Sequence, residues 1–169
     1  MIKIINLGNE KSALEILQGI KVRGKAWHDI RITNSHITEL NKIIGSKVFK
    51  KDAVYISYQT LWEIMQPVGG KNKHNHHGLT PQNVFDALNT MHLSTDISIS
   101  YDNRYIVVTL ATVFDGIKIA VIVSPSSALE NDLEANVTKI ITIYPYHKRG
   151  TKKMRTGRGF CAHRWILYR

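Results

Sequence analysis

Cysteine is almost absent: Cys161 is the single thiol in 169 residues. One cysteine excludes an internal disulfide and any zinc site built from several thiolates. No run approaches the roughly 18 consecutive apolar residues of a membrane span. The opening MIKIINLGNE lacks the basic-then-apolar order of a secretory signal. The expectation is a cytoplasmic protein with no membrane partner. Acid is missing from one region in particular. Residues 140–169 hold eight Lys or Arg and no Asp or Glu.

The length suits one domain with room for a small appendage. At 43% hydrophobic residues the chain can build a core and is not compositionally disordered. The net charge of +10 is unevenly spread: +4 over residues 1–70, −2 over 71–139 and +8 over 140–169. A concentrated positive end, YHKRGTKKMRTGRGFCAHRWILYR, attracts polyanions, most often nucleic acid. Phe160, Trp165, Ile166 and Leu167 within it argue that the end of the chain packs onto the body.

Hydrophobic spacing predicts a helix over 10–18, with Ser12 and Glu15 at capping-box spacing and Gly19 as its stop. Residues 20–32 read as extended and basic. A second helix is expected over 35–44, ended by Gly45. Residues 53–57 read as a buried strand and 60–66 as a short helix closed by Pro67. Thr80 and Pro81 mark a helix start as N-cap and first helical residue, with an apolar stripe running to about Leu93. Strands are then expected over 97–101, 105–113, 117–123 and 137–146, with turns at Asp102-Asn103 and Asp115-Gly116 and a polar connection over 124–136. Helices first, then a meander of about four antiparallel strands, is an α+β layout.

The stretch KNKHNHHGLT, residues 71–80, places His74, His76 and His77 behind Lys71 and Lys73. The letters H-N-H spread over tens of positions in the nuclease motif of that name, so a run of four is coincidence. No carboxylate lies between Glu63 and Asp86 to complete a zinc set, so no metal and no cofactor is expected. Metal-free RNA cleavage needs a base for the 2′-hydroxyl, an acid for the 5′-oxygen and cations for the phosphorane charge. Histidine and lysine at a helix start supply those types, and free N–H groups there favour a phosphate. A solvated polar loop is the plain alternative.

The segment from Val54 to His147 resembles the phage-borne branch of the barnase–EndoU–colicin–RelE-like (BECR) ribonucleases. The resemblance is carried by VYISYQTLWEIM, by HGLTPQNVFDALNTM, by DISISYDNRYIVVTLATV and GIKIAVIVSPSS, and by KIITIYPYHK. It implies helices packed on one face of a roughly four-stranded antiparallel sheet, with residues 51–169 as a BECR-like nuclease domain. Residues 1–50 then form a basic, helical N-terminal extension. It favours His77 as the histidine after the first helix, with His76 and His74 as alternatives, and Thr142 with Tyr144 at the hydroxyl position of the last strand. On that pattern Arg104 and Lys73 stabilise phosphate charge, and His147, Tyr101 or Tyr146 gives the second proton-transfer group; His163 with Arg164 is a further candidate. Lys71, Lys73, Tyr144, Lys148, Arg149, Lys152, Lys153, Arg155 and Arg158 would contact the RNA. The implied activity is that of a metal-independent endoribonuclease toxin of bacterial or phage origin, with RNA as substrate and an inhibitory antitoxin or immunity protein as partner. A non-catalytic nucleic-acid-binding module and a metal-dependent nuclease are the competing functions.

Overall fold

A computed structural model describes residues 3–20, 28–45, 49, 53–69, 75–93, 96–100, 106–114, 117–129, 131–146 and 165–168. In chain order the elements are β1 (Ile4–Asn6), α1 (Glu10–Gln18), β2 (Asp29–Thr33), α2 (Ile37–Ile44), β3 (Val54–Ser57), α3 (Tyr58–Met65) and α4 (Pro81–Thr90). A short 3-10 turn (Met91–Leu93) follows, then β4 (Asp96–Ser100), β5 (Ile106–Phe114), β6 (Ile117–Leu129), β7 (Asp132–Tyr146) and β8 (Trp165–Tyr168). The fold is α+β.

The sheet is larger and more mixed than expected. Its eight described strands run β1-β2-β3-β7-β6-β5-β4-β8. Strands β4 to β7 form the expected antiparallel meander. Beyond it, β3 pairs parallel with β7 and antiparallel with β2, and β1 pairs parallel with β2. Residues 1–50 therefore bring two strands as well as helices, and β2–β3 pairing ties them into the same sheet. Short strands such as IIN are too brief to show a period of their own; their neighbours stabilise them. At the opposite edge β8 pairs with β4, so the end of the chain does join the body.

Alternation builds the core. Ile30, Ile32, Val54, Ile56, Ile140 and Ile143 are buried from the strands, and Leu17, Leu40, Leu61, Ile64, Val84, Phe85 and Leu88 from the helices. The polar connection expected over 124–136 is instead a continuation of β6 and β7, paired at Ser127↔Val137 and Leu129↔Asp132. Its Ser, Asn and Glu residues carry no apolar alternation, so cross-strand pairing, rather than side-chain pattern, makes it a ribbon. At the first helix the cap is Asn9, whose side chain accepts from the Ser12 amide; Ser12 itself is not the cap. Helix α2 ends as expected at Gly45, with φ of 78°. The expected turns at Asp102-Asn103 and Asp115-Gly116 lie outside the described residues.

Candidate functional site

Strand β3 runs directly into α3. The Ser57 side chain accepts from the Thr60 amide and so caps that helix, while Leu61 and Ile64 anchor it in the core. Gln66 is extended before Pro67, as the proline demands. The chain then returns to its own helix end: the Gly78 amide donates to Gln66 O at 2.7 Å and the Leu79 amide to Ile64 O at 3.0 Å. Gly78 adopts φ of 65°, a conformation that glycine takes without strain. Thr80 then caps α4, with Pro81 leading the helix. The Thr80 side chain accepts from the Asn83 amide and the Asn83 side chain accepts from the Thr80 amide.

These anchors fix the two described histidines. His76 and His77 are half-buried. The His76 ring meets Trp62 of α3 edge-on, with centroids 5.6 Å apart. The His77 ring lies against Tyr144 of β7 at 6.1 Å. Two segments 67 residues apart in the chain thus meet at one place. Burial pushes His77 down from 6.5 to about 4; the neighbouring His76 adds to the shift and Glu63 opposes it. The imidazole is therefore neutral at pH 7 and can accept a proton.

Thr142 and Tyr144 flank Ile143, which belongs to the core, so strand alternation turns both away from it. The register with β6 slips between Ile122 and Val123, leaving Ile141 as the extra residue of a bulge just before Thr142. Thr142 Oγ1 is shielded from solvent and has no hydrogen-bond partner among the described residues. A hydroxyl in that state costs about 1 to 3 kcal/mol.

Further along β7, Lys139 Nζ lies 2.9 Å from Asp29 Oδ1, a buried ion pair spanning β3. Next to it the rings of His28 and Tyr58 pack at 4.8 Å.

Of the residues expected at the site, His76, His77, Thr142 and Tyr144 are brought toward one region. Tyr146 ends β7, with only its backbone described. His74, Tyr101, Arg104, His147, His163, Arg164, Lys71, Lys73, Lys148, Arg149, Lys152, Lys153, Arg155 and Arg158 lie outside the described residues. The phosphate seat expected at the start of α4 is reduced. Pro81 has no N–H, the Thr80 side chain occupies the Asn83 amide, and the Thr80 carbonyl takes the Val84 amide. The sequence did not single out Trp62, Glu63 or the Asp29–Lys139 pair. The first two share a helix face and only the fold shows what that face meets. Among the described residues no three His, Cys, Asp or Glu side chains form a metal-binding group, and no helix is long and apolar enough to cross a membrane. Comparison with protein-family models, curated proteins and solved structures returns no match for the chain.

Proposed function

We propose that the protein is a metal-independent endoribonuclease of BECR-like kind, with the site between the α3–α4 loop and the last long strand. The observation that carries this is His77: a half-buried imidazole, neutral at pH 7, set against Tyr144. A neutral imidazole suits the base rather than the acid. His77 takes the proton of the ribose 2′-hydroxyl, the 2′-oxygen attacks phosphorus, and the P–O5′ bond breaks to leave a 2′,3′-cyclic phosphate. The Tyr144 phenol gives its proton to the departing 5′-oxygen. Thr142 Oγ1, shielded and without a partner among the described residues, donates to a non-bridging phosphate oxygen only once the side chains that cover it move aside.

A base of low affinity for protons is weak in the free protein. A phosphodiester beside His77 supplies the negative charge that raises its proton affinity, so the base strengthens when substrate binds. The meander β4–β7 and the helices before it are the part of the fold that a BECR-like ribonuclease would use. A free activity of this kind harms its cell, so the protein acts as a toxin, phage-borne or bacterial, held by an inhibitory partner. The concentration of positive charge at the end of the chain favours a second function, a nucleic-acid-binding module in which the histidine loop is only a contact surface.

The deciding experiment incubates purified protein with mixed RNA in EDTA, beside His76→Ala and His77→Ala variants, and examines the product ends. Cyclic-phosphate ends lost with His77→Ala support the proposal. RNA that binds at low salt but stays intact moves the assignment to the binding module.

A further inference from the structure

The histidine loop is seated on one strip of α3. Gln59, Trp62, Glu63 and Gln66 recur every three or four residues and so share a side of the helix. Each takes part in the seat. Gln59 Nε2 donates to Glu63 Oε1 at 2.8 Å. Asn75 Nδ2 donates to Glu63 Oε2 at 3.3 Å. Trp62 presents its ring to His76, and Gln66 O accepts from the Gly78 amide.

The two oxygens of Glu63 are thus divided between helix and loop. Asn75 immediately precedes the histidine pair, so its position sets theirs. An ordinary surface carboxylate with one exposed partner would hold little. Here the side chain is half-buried and one oxygen is fixed by its own helix in a part-buried bond, so the carboxylate is already held where its other oxygen meets the exposed Asn75 side chain beside His76. Glu63 is also the acid whose charge acts on His77.

We propose that Glu63 is the positioning residue of the histidine loop: clamped by Gln59 and clamping Asn75, it sets where His76 and His77 stand against Trp62 and Tyr144. Its consequence for turnover rests on the ribonuclease function proposed above; the positioning itself does not. Glu63 touches no reacting atom in this scheme. It acts through Asn75 on the loop and through its charge on the base.

Three variants of the full chain separate these effects. Glu63→Ala removes both the clamp and the charge. Glu63→Gln removes the charge while keeping the shape and one acceptor oxygen. Asn75→Ala breaks the loop side of the same bond and leaves the charge. Two NMR readouts need no substrate: amide hydrogen exchange at Gly78 and Leu79, and titration of the His77 ring. Glu63→Ala and Asn75→Ala are expected to speed exchange at both amides by about tenfold, with Ile56 and Ile140 unchanged as proof of an intact sheet. Glu63→Gln is expected to lower the His77 midpoint, and Asn75→Ala to raise it as the loosened loop exposes the ring to water. With RNA, Glu63→Ala is expected to lower kcat roughly tenfold at constant KM.

Unchanged exchange at Gly78 and Leu79 in Glu63→Ala, with the His77 ring signals where they were, would overturn the proposal. A loop that loosens in a protein that never cleaves RNA would uphold the positioning and sink the ribonuclease.

Discussion

His77 and Thr142 each hold a state that folding disfavours. The unfolded chain takes up a proton on histidine as the pH falls through about 6.5, whereas folded His77 resists until about 4. Stability unaffected by this group above pH 7 is therefore lost progressively as pH falls between those values, by at most about 3 kcal/mol. His92, lowered chiefly by burial and next by His36, acts in the same direction. Denaturant melts at pH 7 and pH 5 are expected to show the loss, with a smaller loss in His77→Ala. On the proposed ribonuclease function the same property is expected to place the acid limb of kcat/KM near pH 4 to 5; a limb centred at 6.5 would mean a different base. Thr142→Val removes a shielded hydroxyl without changing shape. It is expected to raise stability by roughly 1 kcal/mol in thermal melts and to lower cleavage, the pattern of a residue retained for function.

At the scale of elements, local caps and brackets hold the pieces in place. Asn41 of α2 grips the backbone of Phe49 from both sides, its Nδ2 donating to Phe49 O at 2.7 Å and its Oδ1 accepting from the Phe49 amide at 2.9 Å. Phe49 is a core residue, so this one side chain fixes how the chain re-enters the sheet. Asn41→Ala is expected to cost about 2 kcal/mol by chemical denaturation, since it leaves a part-buried donor and acceptor bare. The loop between α3 and α4 depends on Gly78. An added Cβ there meets Val68 and the Gln66 carbonyl at ordinary contact distance, so the cost of Gly78→Ala comes from φ, about 1 kcal/mol. Much of this level was legible in the sequence. The cap at Thr80, the stop at Gly45 and the helix stripes follow from spacing and from glycine and proline chemistry. The ribbon over 124–136 was not, because a two-stranded ribbon of polar residues is held by its partner strand and shows no periodicity.

For the whole molecule, the sheet order places β3 between β2 and β7, and the Asp29–Lys139 pair bridges the two across it. Removing one partner takes the counter-charge of this pair away from the other's buried charge. Lys139→Met or Asp29→Asn is expected to destabilise by about 3 to 5 kcal/mol, while replacing both by apolar residues of similar size costs far less. The charge of the chain acts at this scale as well. With eight of its cations after residue 139, RNA affinity is expected to fall roughly a hundredfold between 50 and 200 mM salt if about five phosphates are contacted. A flat salt profile in a filter-binding titration would exclude the positive end as the RNA contact.

Thr142 came from the family resemblance alone; by itself the sequence determined the α+β class, the four-strand meander, most helix ends and the choice of histidine and lysine as chemical candidates. These follow from interactions within a few residues: periodic burial, caps, turn chemistry and charge density. Only the tertiary structure decided that residues 1–50 contribute strands to the same sheet, that His77 meets Tyr144, that Thr142 is shielded with no partner among the described residues, and that Glu63 bonds Asn75 of the loop. Each of those is a contact between segments distant in the chain, and its free energy comes from burial and pairing that exist only once the sheet has closed.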